Sequence, residues 1–111
     1  MKLLLPLAAA LLLAPALAGA AGLLAPAPES HVVNITDNGF SPSTLTIAAG
    51  HTVNWVNTGS RLHTVTGLVP GGPDSPTLSP GGTYSFTFAT PGATVYRCVF
   101  HGNMIGVVIV T

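Results

Sequence analysis

The stretch Thr94–Val110, TVYRCVFHGNMIGVVIV, decides how this chain reads. Its first five residues alternate, so that Tyr96 and Cys98 share one face of a strand. Val99–Asn103 then interrupts the pattern and must turn the chain. Gly106–Val110, GVVIV, returns as a second strand and closes the sequence. The same grammar repeats through the rest of the chain. HVVNIT (31–36), TLTIA (44–48), TVNWVN (52–57), LHTVT (62–66) and TYSFTF (83–88) read as strands, and Val53 and Trp55 fall on one face. DNGFSPS, TGSR, TPGA and the long GLVPGGPDSPTLSPGG punctuate them as turns and loops, with a brief strand at Thr77-Leu78. No helical period of useful length follows Glu29. Several short strands between turn signals predict an all-β sandwich or barrel.

Before this region the chain opens on Lys2, an apolar run and the small residues Ala18-Gly19-Ala20. Charged start, apolar middle and small-residue end are the order of a secretory signal peptide. We expect a signal over residues 1–20, an Ala/Pro linker over 21–30 and one domain over 31–111. The competing reading is an uncleaved membrane anchor, since no charge lies between Lys2 and Glu29. After the signal only Glu29, Asp37, Arg61, Asp74 and Arg97 are charged. So sparse a set excludes an electrostatic footprint for nucleic acid. It also argues against disorder, which needs low hydrophobicity and high net charge.

Export places the domain where disulfides form, yet Cys98 is the single cysteine and has no internal partner. A buried structural thiol is one explanation. Its neighbours suggest another. His101 follows three residues later and Met104 three after that. A turn lets both converge on the thiol, so one loop offers thiolate, imidazole and thioether, donors that suit copper. A second imidazole is needed. Of the remaining histidines, His31 lies beside the linker and His51 in a turn, and both read as surface residues. His63 lies past the TGSR loop, and a sandwich can bring it to Cys98. Zinc could occupy the same donors, although a structural zinc site usually takes four Cys and His ligands. A dinuclear thiolate centre would need a second cysteine. No Ser-His-Asp or paired-carboxylate arrangement stands out, so an enzyme is not expected.

GFSPSTLTIAAGHTVNWVN, LHTV, PGGTYSFTF and YRCVFHGNMIGVVIV together resemble the blue-copper proteins, or cupredoxins, over nearly all of the chain after Glu29. The equal spacing on both sides of His101 is most similar to amicyanin; plastocyanin carries a longer gap before the methionine. The resemblance implies a single-domain Greek-key β-sandwich holding one copper ion. His63, Cys98 and His101 would be the strong ligands and Met104 the weak axial one. It further implies a monomeric carrier of single electrons between redox proteins such as a cytochrome or dehydrogenase, in the periplasm or at the outer face of the cytoplasmic membrane. Two residues depart from relatives: Thr64 stands where several have asparagine, and Phe100 where amicyanin has proline. Copper storage or delivery is the alternative within the same chemistry, and a metal-free interaction module the alternative outside it.

Overall fold

The computed structural model describes residues 29–111; the expected signal peptide and most of the expected linker lie outside the described residues. Eight strands follow in order: β1 Ser30–Thr36, β2 Gly39–Ser41, β3 Thr44–Ile47, β4 Thr52–Asn57, β5 Thr66–Gly67, β6 Thr83–Thr87, β7 Gly92–Arg97 and β8 Ile105–Val110. They form two four-stranded sheets, ordered β2-β1-β4-β6 and β3-β8-β7-β5. Both sheets are mixed. β1 runs parallel to β4 and β3 parallel to β8, while the remaining pairs are antiparallel. From β2 to β7 the chain passes repeatedly from one sheet to the other, as a sandwich with crossover connections requires.

Alternation places the core. Val33 and Ile35 of β1, Val53 and Trp55 of β4, and Val108 and Val110 of β8 point inward, while Val32 and Ile109 face out. Trp55 sits at the centre. Its ring meets Tyr96 edge-on at 5.3 Å, with Tyr84 and Phe88 tilted beside it at 5.9 and 6.3 Å. Tyr96 in turn meets Phe40 edge-on at 4.6 Å. Such edge-to-face pairs join the two sheets by aromatic contact as well as by area. Tyr84, Phe86 and Phe88 belong to this packing, as their alternation implies.

Two segments depart from the sequence reading. Gly39–Ser41, inside the expected turn cluster, pairs with β1 because Phe40 has a core position to fill. LHTVT does not form a regular strand. His63, Thr64 and Val65 are all buried, which alternation forbids. Their backbone is satisfied irregularly instead. His63 exchanges both bonds with Leu78 (3.1 and 2.8 Å), and the Val65 N–H donates to Ser75 Oγ at 2.8 Å. The brief strand expected at Thr77-Leu78 is this single bridge.

Candidate metal centre

β7 ends at Arg97 and delivers Cys98 fully buried at the sandwich rim. The loop that follows is closed by two backbone bonds. The Cys98 N–H donates to the Met104 carbonyl at 3.1 Å, and the Met104 N–H to the His101 carbonyl at 3.2 Å. Met104 is buried, while His101 between them is half-buried. Val99 and Phe100 at the loop's start are exposed. A turn this tight holds a thiol, an imidazole and a thioether on one short piece of chain.

His63 comes from the other side, on the connection between β4 and β5, and is fully buried. Buried Asn57, the last residue of β4, fixes that connection. Its Nδ2 donates to the carbonyls of Arg61 (2.8 Å) and Leu78 (2.9 Å), and its Oδ1 accepts from the Gly59 N–H (2.9 Å). A buried amide with its groups paired in this way orders a loop without a desolvation penalty. Thr64 adds a further tie. Its Oγ1 accepts the Val99 N–H at 3.0 Å, joining the His63 segment to the Cys98 loop, and lies 2.9 Å from Thr66 Oγ1.

Three donor atoms then converge. Nδ1 of His63 lies 3.7 Å from Cys98 Sγ, and Nδ1 of His101 lies 3.5 Å from it. The two rings are 4.9 Å apart. A first-row ion about 2.3 Å from sulfur and about 2.0 Å from each nitrogen spans separations of this size. Both imidazoles thus turn a nitrogen toward the thiol, Nδ1 in each case, as shared coordination requires.

Asp37, in the β1–β2 turn, completes the arrangement and was not singled out from the sequence. Its Oδ1 accepts from His63 Nε2 at 2.9 Å. A proton on Nε2 leaves Nδ1 with a lone pair facing Cys98, the tautomer a metal ligand needs. Asp37 also accepts from the Ser60 N–H, the Ser60 hydroxyl and the Arg61 N–H. The Ser60 N–H chiefly, then the His63 ring and the Ser60 hydroxyl, hold its carboxyl well below the usual carboxylate range. The contact spans 26 residues of sequence, and no local spacing announces it.

The other two histidines are absent from this cluster. His31 and His51 are half-buried rather than free on the surface, and they pair with each other. Arg61 does reach the site. Its Nη1 lies 3.4 Å from Nε2 of His101, at the ring's outer edge. Exposed Leu62 and Phe100 neighbour the two histidines in sequence, and exposed Ile105 follows Met104. Val69 and Pro70, also exposed, line a groove with Phe86–Thr94.

His63, Cys98, His101 and Met104 are arranged like a type 1 copper site. Comparison with known proteins agrees. A family model described as the cupredoxin-like domain matches residues 3–110. A plastocyanin of Scenedesmus fuscus is 39% identical over 72 residues, covering 56% of this chain and 74% of its own. A plastocyanin of Prochlorothrix hollandica is 36% identical over 81 residues, covering 64% of this chain and 62% of its own. Among solved structures, a purple cupredoxin from Nitrosopumilus maritimus superposes with a TM-score of 0.66 at 28% identity, over 73% of this chain and 99% of that one. A Cu(I) amicyanin variant superposes at 0.67 and 26% identity, over 82% and 89%. Fold, donor set and family match converge on one conclusion: the chain belongs to the cupredoxin-like family.

Proposed function

We propose that the protein is an exported blue-copper carrier of single electrons, with His63, Cys98 and His101 as strong ligands and Met104 as the weak axial one. The observation that carries this reading is the convergence of one thiol and two imidazole Nδ1 atoms from opposite sides of a buried rim. Copper bound there supplies a one-electron couple at a thiolate.

The residues account for the rest. Cys98, His63 and Met104 are shut away from water, which restricts the access of a substrate to an ion held there. His101 alone among the four is partly open, so its ring edge is the route by which electrons leave. Asn57, Thr64 and Asp37 fix both ligand-bearing segments from behind, which limits rearrangement between oxidation states. Arg61 can donate to His101 Nε2 only while that nitrogen carries no proton. With Nδ1 engaged, the neutral ring holds its proton on Nε2, and Arg61 must swing outward. The exposed apolar rim of Leu62, Phe100 and Ile105 then meets the partner, a redox protein such as a cytochrome or dehydrogenase.

The expected signal over residues 1–20 supports export to the periplasm or the outer face of the membrane. No helix among the described residues is long and apolar enough to cross a membrane. The test is addition of Cu(II) to the purified protein, followed by voltammetry. An intense thiolate-to-copper band in the visible, a reversible one-electron wave, and loss of both in Cys98→Ala are expected. Uptake without that band, or a band without a reversible wave, defeats the carrier reading.

A further inference from the structure

A second set of donors lies at the far end of the sandwich. His51 precedes β4, and Glu29 and His31 flank the first residue of β1. Because β1 and β4 are parallel and paired Ser30 to Thr52, their starts lie side by side. His31 Nε2 is 3.0 Å from His51 Nδ1, and the two rings stack at 5.3 Å with 23° between planes. The carboxylate of Glu29 falls within the same cluster, all three donor atoms lying within 4.8 Å of one another. Asn57, beside the first site, is at the opposite end of β4. Five residue steps of about 3.3 Å put the two ends roughly 17 Å apart, too far for any donor to be shared.

We infer that Glu29, His31 and His51 form a second metal site, selective for Cu(II) among divalent ions and independent of the thiolate centre. Three observations carry this. The first is the nitrogen separation. Two imidazole nitrogens 3.0 Å apart, each about 2.0 Å from one ion, subtend an angle near a right angle. That is the angle of a tetragonal N,O site, which suits Cu(II) or Ni(II), and of the two Cu(II) binds such donors more tightly.

The second is that the backbone is already fixed. The Thr52 N–H donates to the Glu29 carbonyl at 3.0 Å, the His51 N–H to Ala48 at 3.1 Å, and the Phe88 N–H to the His51 carbonyl at 3.0 Å. Binding therefore orders side chains and little else. The third is the absence of a competitor. Among the described residues Glu29 makes no salt bridge, Arg61 is at His101, and Arg97 is on β7 opposite Ile105. The His31–His51 bond uses one lone pair of the two rings; a shared ion uses one from each. Water completes the coordination.

The test is titration of the full chain, already holding one equivalent of copper, with further Cu(II), read by electron paramagnetic resonance and by metal analysis after desalting. We expect a second equivalent that survives desalting. Its signal should be that of a tetragonal nitrogen and oxygen environment, with the visible band of the first equivalent unchanged. His31→Gln and His51→Gln should each weaken the second equivalent at least about tenfold, or 1.4 kcal/mol, and Zn(II) should compete for it only in excess. Circular dichroism of both variants establishes that the fold is intact.

A second equivalent lost on desalting, or retained equally by both variants, overturns the proposal, the latter because binding then lies elsewhere. A first equivalent without the intense visible band would count against the carrier reading alone. The dependence of the second equivalent on His31 and His51 would still be measured.

Discussion

Asp37 takes hydrogen bonds from residues 23 to 26 positions away: the N–H and hydroxyl of Ser60, the N–H of Arg61 and the ring of buried His63. Gly59 makes room for it. A Cβ at Gly59 would collide with the Asp37 carboxylate, so the small residue and the acid are matched. The carboxylate holds the His63 ring in one tautomer and strengthens it as a donor. We therefore predict that Asp37→Ala lowers copper affinity about 10- to 100-fold. It should also raise the reduction potential, because a weaker donor stabilises Cu(II) less. Asp37→Asn, which keeps an acceptor, should fall between. Chelator competition and voltammetry measure both effects; wild-type values in Asp37→Ala would show that His63 is held by Asn57 and Leu78 without the acid. In the sequence, the spacing around Cys98 pointed to His101 and Met104, and the structure brings His63 to the same thiol. Asp37 was hidden because Asp-Asn-Gly reads fully as a turn, and nothing local distinguishes an acid that also reaches across the rim.

Strand pairing ties this site to the core through Tyr96 and Gly106, which face each other across β7 and β8. The Tyr96 ring fills the space a side chain at Gly106 would need. Gly106→Ala should therefore push the ring toward Trp55 and Phe40 and cost about 1–3 kcal/mol as overpacking, read as a lower denaturation midpoint with unchanged slope. The same burial pushes the Tyr96 phenol up to about 12. The unfolded chain ionises near the ordinary value of about 10, while the folded chain stays neutral. Stability from Tyr96 is thus complete below that value and is lost as pH rises toward 12. A two-unit difference is worth about 2–3 kcal/mol. Denaturant unfolding of the metal-free protein between neutral and strongly alkaline pH should show the loss, and Tyr96→Phe should remove that part of it. An equal alkaline loss in Tyr96→Phe would assign it to other groups. Elements of this kind were legible where alternation is strict: β4 and β6 start where the pattern starts, and their inward residues are the expected ones. Legibility failed at Gly39–Ser41 and at His63–Val65. In the first, turn-forming residues surround one core aromatic. In the second, the chain runs through the core and takes its hydrogen bonds from the Leu78 bridge and from the hydroxyl and N–H of Ser75.

The whole molecule carries almost no field. The described residues hold two arginines against Glu29, Asp37 and Asp74, and Asp37 is turned into the rim. Steered association draws on extended charge and raises rates by about 10- to 1,000-fold, falling steeply with salt. Here the one charge at the proposed electron exit is Arg61, while Arg97 faces outward from a strand whose Tyr96 points in. Contact must then come from the apolar residues around His101, whose attraction salt scarcely screens. Electron self-exchange isolates this point, because the partner is a second copy presenting the same face. Two copies meeting at His101 bring Arg61 against Arg61, a weak repulsion that counter-ions relieve. The self-exchange rate, measured by NMR line broadening in partly oxidised samples, should rise only slightly from low to moderate ionic strength, by well under tenfold. Arg61→Ala should raise the low-salt rate and flatten the remaining slope. Leu62→Ser or Phe100→Ser, which remove apolar contact and no charge, should slow exchange equally at every salt concentration. A steep salt dependence that survives Arg61→Ala, with no effect of Leu62→Ser or Phe100→Ser, would place the contact on another face and deny His101 its role as the exit.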